Sequence, residues 1–337
     1  MSLFRDASLG DGQLLRTIGI KILLLIPVLI IVSFGTFVLV DLVPGDPAQQ
    51  VLGPNSTADE YERIRLELGL DTPLLERYWD WGTKVVVHGD LGKNLINPRV
   101  DVSDTLQRSF PINLELAFAS IGVSLLLAVP AAMASAYFAG RRLDRSLSVT
   151  AFGMISVPPF LSGLILILIF ALSLGWLPDS QWTRLTNNGS WTDLNLVENI
   201  KSLVLPVLTI SINEIAVFLR LLRGDLIGTL QEDFVLAAKA KGMPTRHLML
   251  REAMRPSSFS LITLAGVSVG RVIGGTVIVE RIFSIPGVGK QVVEAATKSD
   301  YPIVQGGVLV LAIFYVAINM GIDILYGFLD PRIRRGR

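Results

Sequence analysis

The chain of 337 residues has no cysteine and only two histidines, His88 and His247. The missing cysteines exclude disulfides, thiolate nucleophiles and thiolate metal sites. Two histidines so far apart in sequence do not make a local metal-ligand pair. Charge is scarce too: Asp, Glu, Lys and Arg make up 18% of the residues and the net charge is +1, which gives no support to a nucleic-acid partner. Catalytic patterns are also missing. There is no H-E-x-x-H, no G-x-S-x-G, and no pair of carboxylates at helical spacing inside the apolar runs, so nothing assembles a nucleophile with a base. Two runs imitate a phosphate loop. Pro286-Gly287-Val288-Gly289-Lys290-Gln291 lacks the first glycine and carries Gln291 where a magnesium-binding hydroxyl belongs, and Gly89-Asp90-Leu91-Gly92-Lys93 fails in the same way. The expectation is a non-enzyme that binds no cofactor or metal and hydrolyses no nucleotide by itself.

What is abundant is apolar sequence, 51% of the residues, well above what one soluble core needs. A helix takes about 20 mainly apolar residues to cross the hydrocarbon core of a bilayer. On that basis six spans are expected, at about 18–40, 112–139, 149–174, 203–222, 257–279 and 303–329. The first is too long for a signal-peptide core, and Asp41-Leu42-Val43-Pro44 offers no small-residue cleavage site, so it reads as a retained span. With the N-terminus inside, the inner segments (1–21, 140–148, 220–256, 331–337) hold 17 basic residues in 74 positions, and the outer segments hold 12 in 117. That asymmetry predicts both termini in the cytoplasm. The fold class expected is therefore an all-α integral membrane protein. Its divisions are a cytoplasmic N-terminus and first span (1–41), an extracytoplasmic cap (42–110), a five-span core (111–330) and a basic cytoplasmic tail (331–337). In the cap, turn signals at Pro44-Gly45-Asp46-Pro47 and Gly53-Pro54-Asn55 alternate with a helical pattern over Ala58–Leu68.

Three ionisable residues fall at membrane depth: Glu115, Glu214 and Arg271. Such groups are expensive in lipid and face a partner or a water-filled path. Glu115 reads as a helix-end residue whose carboxylate snorkels. For Glu214 and Arg271, an interhelical ion pair and lining of a pathway are both open. Glycines and prolines are dense in the spans, and Gly270 with Gly274 forms a small-x-x-x-small pair that permits close helix approach.

The segment between spans four and five, FVLAAKAKGMPTRHLMLREAM (234–254), is basic yet keeps an apolar helical rhythm. Phe234, Ala237, Ala238 and Lys241 share one helical face and Lys239 projects elsewhere. Gly242 suits a left-handed helix end and Pro244 the first turn of a second short helix. That second helix carries Arg246, Leu248 and the pairs Met249/Ala253 and Leu250/Met254. Such a knob either lies on anionic lipid or docks into a groove on a cytoplasmic partner.

Here the residues resemble a known family. Ala237-Ala238, three residues and Gly242 are similar to the E-A-A-x-x-x-G loop of bacterial ABC importer permeases, in the form found in dipeptide/oligopeptide permeases. The resemblance covers most of the chain: Leu42-Val43-Pro44-Gly45-Asp46-Pro47, His88-Gly89-Asp90-Leu91-Gly92, Pro111-Ile112-Asn113-Leu114-Glu115-Leu116-Ala117, Gly175-Trp176-Leu177-Pro178, the run Glu280 to Gly289, Asp300-Tyr301-Pro302 and Leu329-Asp330-Pro331-Arg332. Leu236 replaces the loop's glutamate, and Ser260 stands where a proline is expected. Glu214 and Arg271 are outside the pattern.

The resemblance implies one of two membrane subunits of a binding-protein-dependent importer in the bacterial inner membrane. Its partners would be a homologous second permease, two cytoplasmic ATPases that use ATP and magnesium, and an extracytoplasmic substrate-binding protein. Phe234, Ala237, Ala238, Lys239, Lys241, Gly242, Arg246 and Leu248 would form the ATPase-coupling loop. Asp90, Glu280, Pro286 and Gly287 would meet the binding protein, and Glu214 and Arg271 would line the path. Peptides are the expected cargo; nickel, glutathione, haem or oligosaccharide is the alternative within the same machinery, and a stand-alone secondary transporter is the alternative outside it.

Overall fold

The computed structural model describes residues 7–42, 46–52, 57–96, 98–180, 182–185 and 195–329. The turn residues Pro44-Gly45 and Gly53-Pro54-Asn55, the end motif from Asp330 and the basic tail 331–337 lie outside these residues. In chain order the α-helices are α1 (Ala7–Leu42), α2 (Pro47–Leu52), α3 (Ala58–Leu68), α4 (Leu74–Thr83), α5 (Val102–Tyr137), α6 (Arg142–Ser156), α7 (Pro159–Leu166), α8 (Leu196–Leu230), α9 (Asp233–Ala240), α10 (Thr245–His247), α11 (Met254–Gly275), α12 (Val277–Ile282), α13 (Val288–Thr297) and α14 (Tyr301–Leu329). π-Helical stretches follow α4, α7 and α10. Strand pairing among the described residues is limited to one isolated bridge, Lys93 with Asp101.

Among the described residues, four helices are long and apolar enough to cross a membrane: Val102–Tyr137, Leu196–Leu230, Thr245–Gly275 and Tyr301–Ile322. The apolar part of α1, Leu25–Val40, is shorter. The expected third span is not one straight helix. α6 and the α7 segment, Pro159–Ser173, meet at a bend of 101°. The cause is Pro158-Pro159, which removes two backbone donors and forces the preceding residue out of the helical region; Val157 is extended at φ −88°, ψ 122°.

The chain divides into two compact units. The first comprises residues 1–113 and 286–320. Here α3 occupies the stretch where the sequence shows a helical rhythm, and both its ends explain why. Thr57 and Glu60 form a reciprocal capping box at the start, and Gly69 closes the end at φ +62°. Val40, Ala48, Ile64, Leu95 and Tyr301 make a buried apolar cluster. Around it Arg99 forks onto Glu67 at 2.6 and 2.8 Å, and the Asp46 carboxylate, hydrogen-bonded by the Tyr61 hydroxyl, is held below the usual carboxylate range. Asn113 Oδ1 accepts from the Val288 N–H at 2.8 Å, which satisfies a donor of the first turn of α13.

The second unit comprises residues 114–285 and 321–337 and is built on α8, which buries Leu205, Phe218, Leu222 and Leu226 completely. Its contacts with α5 are polar and small: Ser211 Oγ donates to Ser120 O at 3.0 Å. Close helix approach is seen at Gly163 and Gly266, and of the expected pair Gly270 is buried. A Cβ at Gly163 would meet Thr209 at 3.2 Å and one at Gly266 would meet Ile322 at 2.6 Å, whereas one at Gly274 would meet nothing. Period alone marks a permissive stripe but not which helix faces it. Near the start of α6, Asp144 is 4% exposed and accepts from Ser135 Oγ, Gly140 N–H and both Nε and Nη2 of Arg223. This four-donor carboxylate ties α5, α6 and α8 together. Glu115 is not at a helix end, because α5 begins thirteen residues earlier at Val102; it is half-buried and hydrogen-bonded to Asn199.

Asp300, 2% exposed, accepts the Leu95 N–H at 3.1 Å, and burial pushes its carboxyl above the ordinary range. Its folded-state pKa exceeds its unfolded one, so protonation favours the fold and this contribution is lost as pH rises through the raised pKa. Asp300→Asn keeps an acceptor and should remove that pH dependence at little cost. Asp300→Ala strands the Leu95 N–H and should destabilise by about 1–3 kcal/mol. Thermal denaturation of the detergent-purified protein across pH 4–8 checks both; equal losses in the two variants would contradict the hydrogen-bond account.

Candidate functional site

The basic segment after α8 folds as a helix, a turn and the beginning of a long helix. α9 ends in a Schellman arrangement: Met243 N–H reaches Ala238 O at 3.2 Å and Gly242 N–H reaches Lys239 O at 3.0 Å. Gly242 takes φ +80° to permit this, with open space where a Cβ would stand. Pro244 then precedes α10 as its cap residue. The expected second short helix is not separate. Thr245–Gly275 is continuous through the π-helical stretch Leu248–Ala253. A proline at 256 cannot donate to the carbonyl four residues back, and the wider π register just upstream is the adjustment that lets the helix run on.

The side chains divide into two sets. Val235, Ala238 and Leu248 are buried together, with Leu230 packed against them. Ala238 and Leu248 therefore hold the knob in shape. Phe234, Ala237, Lys239, Lys241, Gly242 and Arg246 are exposed, and so are the apolar Leu236, Met243 and Leu250. The sequence face drawn through Phe234, Ala237, Ala238 and Lys241 missed Val235 as the anchor; its signal was the three-residue spacing to Ala238. The exposed apolar side chains beside lysine and arginine give this surface the character of a docking patch.

Midway along α8, Glu214 meets Arg271 of α11. Arg271 Nη2 donates to Glu214 Oε1 at 2.8 Å, to Oε2 at 2.9 Å and to Ser268 Oγ at 2.9 Å. The glutamate side chain is 8% exposed and the arginine 56%. The interhelical ion pair is thus formed, and its cationic half stays open beside a cavity of about 230 Å³ lined by Pro159, Asn213 and Thr276 among others.

Of the residues expected to meet a binding protein, Asp90 is exposed and Pro286 half-exposed, but Gly287 and Glu280 are buried. Glu280 is 1% exposed, accepts from the Thr276 hydroxyl and carries the carbonyl that receives Ile285 N–H at 2.8 Å. It holds a turn and cannot reach another protein, a correction that burial imposes on motif position. In the first unit a cleft of about 540 Å³ brings the His88–Gly92 and Asp300–Pro302 motifs together, with Asp90, Gly92, Tyr301 and Pro302 on its walls.

The chain as a whole is similar to known proteins. Residues 128–335 match the family described as binding-protein-dependent transport system inner membrane component, and residues 14–117 match the N-terminal family of the same membrane components. The glutathione transport system permease protein GsiC of Escherichia coli O6:H1 (strain CFT073) is 32% identical over 314 residues, 93% of this chain and 97% of that protein. A Brucella abortus (strain 2308) protein, provisionally named a peptide transport system permease, is 31% identical over 310 residues, 92% of this chain and 96% of that one. The inward-facing MetNI methionine ABC transporter superposes with a TM-score of 0.50 at 15% identity, over 67% of this chain and 96% of that chain, a likeness of fold. The chain belongs to the binding-protein-dependent transport system inner membrane component family, as a permease subunit of an ABC importer.

Proposed function

We propose that this chain forms half of the translocation path of an ATP-driven peptide importer and that residues 234–250 couple it to cytoplasmic ATPase subunits. The observation that carries the reading is mechanical. An exposed patch of Phe234, Leu236, Met243 and Leu250 is mounted on a packed knob, and the knob's second half is continuous with the helix ending at Gly275. A rigid helix transmits displacement along its length, so a partner that grips the patch moves the membrane segment with it. In this reading the chain crosses the membrane six times with both termini inside, α1 and the bent α6–α7 pair supplying the remaining spans. A homologous permease completes the path, and the substrate-binding protein is met on the outer face through Asp90 and Pro286. The relatives named for glutathione and peptide transport support a peptide-like cargo carrying a free carboxylate.

Affinity purification of the tagged chain from membranes should retain a stoichiometric ATPase, and its absence would refute the coupling role. Two substitutions at Gly242 separate shape from surface. Gly242→Ala strains the left-handed residue by about 1–2 kcal/mol and should lower thermal stability modestly while preserving transport. Gly242→Asp places a carboxylate on the patch in a conformation aspartate tolerates. It should abolish substrate-stimulated ATP hydrolysis while the chain stays in the membrane. Normal stimulation in Gly242→Asp would remove the assignment. Protection of the segment from protease that depends on anionic lipid, and not on the ATPase, would establish a lipid-surface helix instead.

A further inference from the structure

We propose that Arg271, positioned by Glu214, is a carboxylate-binding station for the transported solute inside the membrane half of this chain. The inference rests on the importer reading and deepens it: it names a charge-bearing contact for the cargo at the level of the bilayer, away from the coupling surface.

Three observations carry it. First, the arginine stands on α11, a helix that continues a membrane-crossing segment, and its side chain is 56% exposed. A guanidinium facing hydrocarbon is costly, so that exposure belongs against water or another polar surface. Second, its hydrogen bonds are confined to one nitrogen. Nη2 serves Glu214 and Ser268, and Nε and Nη1 have no partner among the described residues. The head group is therefore held from one side with donors left on the other, in the manner of a preorganised anion contact. Third, the adjoining cavity is lined by Asn213 and Thr276 as well as by apolar Pro159 and Val279. Its volume, about 230 Å³, is below the roughly 300–1,000 Å³ of sites that enclose a whole ligand. It suits one polar terminus of a peptide.

The buried glutamate also sets the strength of the contact. A lone arginine in a low-dielectric site would hold a carboxylate too firmly for a conduit, which must bind weakly enough to release. Glu214, with 8% of its side chain exposed, cancels most of the charge while leaving donors available. Its place is positional: it touches the arginine, not the cargo.

The test uses the reconstituted importer with its partner permease, ATPases and binding protein, with glutathione and trialanine as probes. Glu214→Gln with Arg271→Gln replaces the ion pair by two neutral hydrogen-bonding amides, and Arg271→Lys keeps the charge pair but not the fork of donors. Expected in the double variant is a rise of about tenfold in ATP consumed per peptide imported, with an intermediate rise in Arg271→Lys. The complex's thermal midpoint should stay near the wild-type value. A second measurement stands apart from assembly-sensitive transport. The chain has no native cysteine, so Arg271→Cys with Glu214→Gln can be labelled at one site by a membrane-impermeant thiosulfonate in the assembled complex. Labelling from water supports the station; failure to label places residue 271 against lipid or protein and overturns it. An unchanged ATP-to-peptide ratio in a wild-type-like complex also overturns it, as does loss of stability in step with transport, which marks a structural ion pair. A wild-type complex that holds its ATPases yet carries neither probe would instead refute the peptide reading on which the station rests.

Discussion

A charge taken out of water must find a partner or be neutralised, because low dielectric makes isolation cost several kcal/mol. The second unit is arranged around that demand. Asp144 on α6 gathers four donors from α5, α8 and the turn before α6, Glu214 is met by Arg271, and Glu115 by Asn199. Each pairing crosses from one helix to another, so the electrostatic requirement doubles as a set of register pins on α8. Apolar packing alone would leave such helices free to slide, since lipid tails solvate leucine as well as protein does. Serine-to-carbonyl bonds between α5 and α8 and the glycine approaches at Gly163 and Gly266 then fill the space between the pins.

Those pins also determine what can move. The segment that begins at Thr245 runs unbroken to Gly275 and carries Arg271 near its far end. Gly242 is the one left-handed residue between α9 and that helix, and its Schellman bonds leave little slack. In the proposed coupling, displacement of the patch at Phe234 and Met243 would pass into α11. The same helix bears an ionic contact to α8 whose arginine is more than half exposed, and a change in its position alters the Glu214–Arg271 geometry. The coupling proposed here asks only for continuity of one helix and the bonds on its flank, with no longer chain of intermediates.

Much of this was legible beforehand where a local rule decides the outcome. The helical rhythm of α3, the left-handed Gly242 and the long apolar runs follow from chemistry within a few residues of each site. The misses share a different cause. Pro158-Pro159 was visible, but the 101° bend depends on how two half-helices pack on α8. Glu115 lay at the start of an apolar run, yet the polar sequence before it is helical as well, so the end of hydrophobicity was not the end of the helix. Gly270 and Gly274 have the right spacing, but close approach needs a facing residue, which Gly274 lacks and Gly163 and Gly266 have. Glu280 sits in a motif on a loop-rich stretch, and only tertiary burial reveals that its carboxylate is turned inward to Thr276.

The two functional surfaces of this chain carry different information because they obey different physics. The patch on α9 and its turn is apolar and exposed, flanked by lysines and arginines, and the partner contact proposed for it would be indifferent to the cargo. The station at Arg271 is the reverse: a charge nearly balanced by Glu214, able to distinguish a carboxylate from a neutral group and unable to supply power. Because the patch adjoins the helix from Thr245 to Gly275 and the station lies on it, one displacement would change grip at the patch and presentation at the station together. A solute contact that weakens when its helix moves releases cargo without any separate trigger, and a neutralised arginine is suited to it because little attraction has to be overcome.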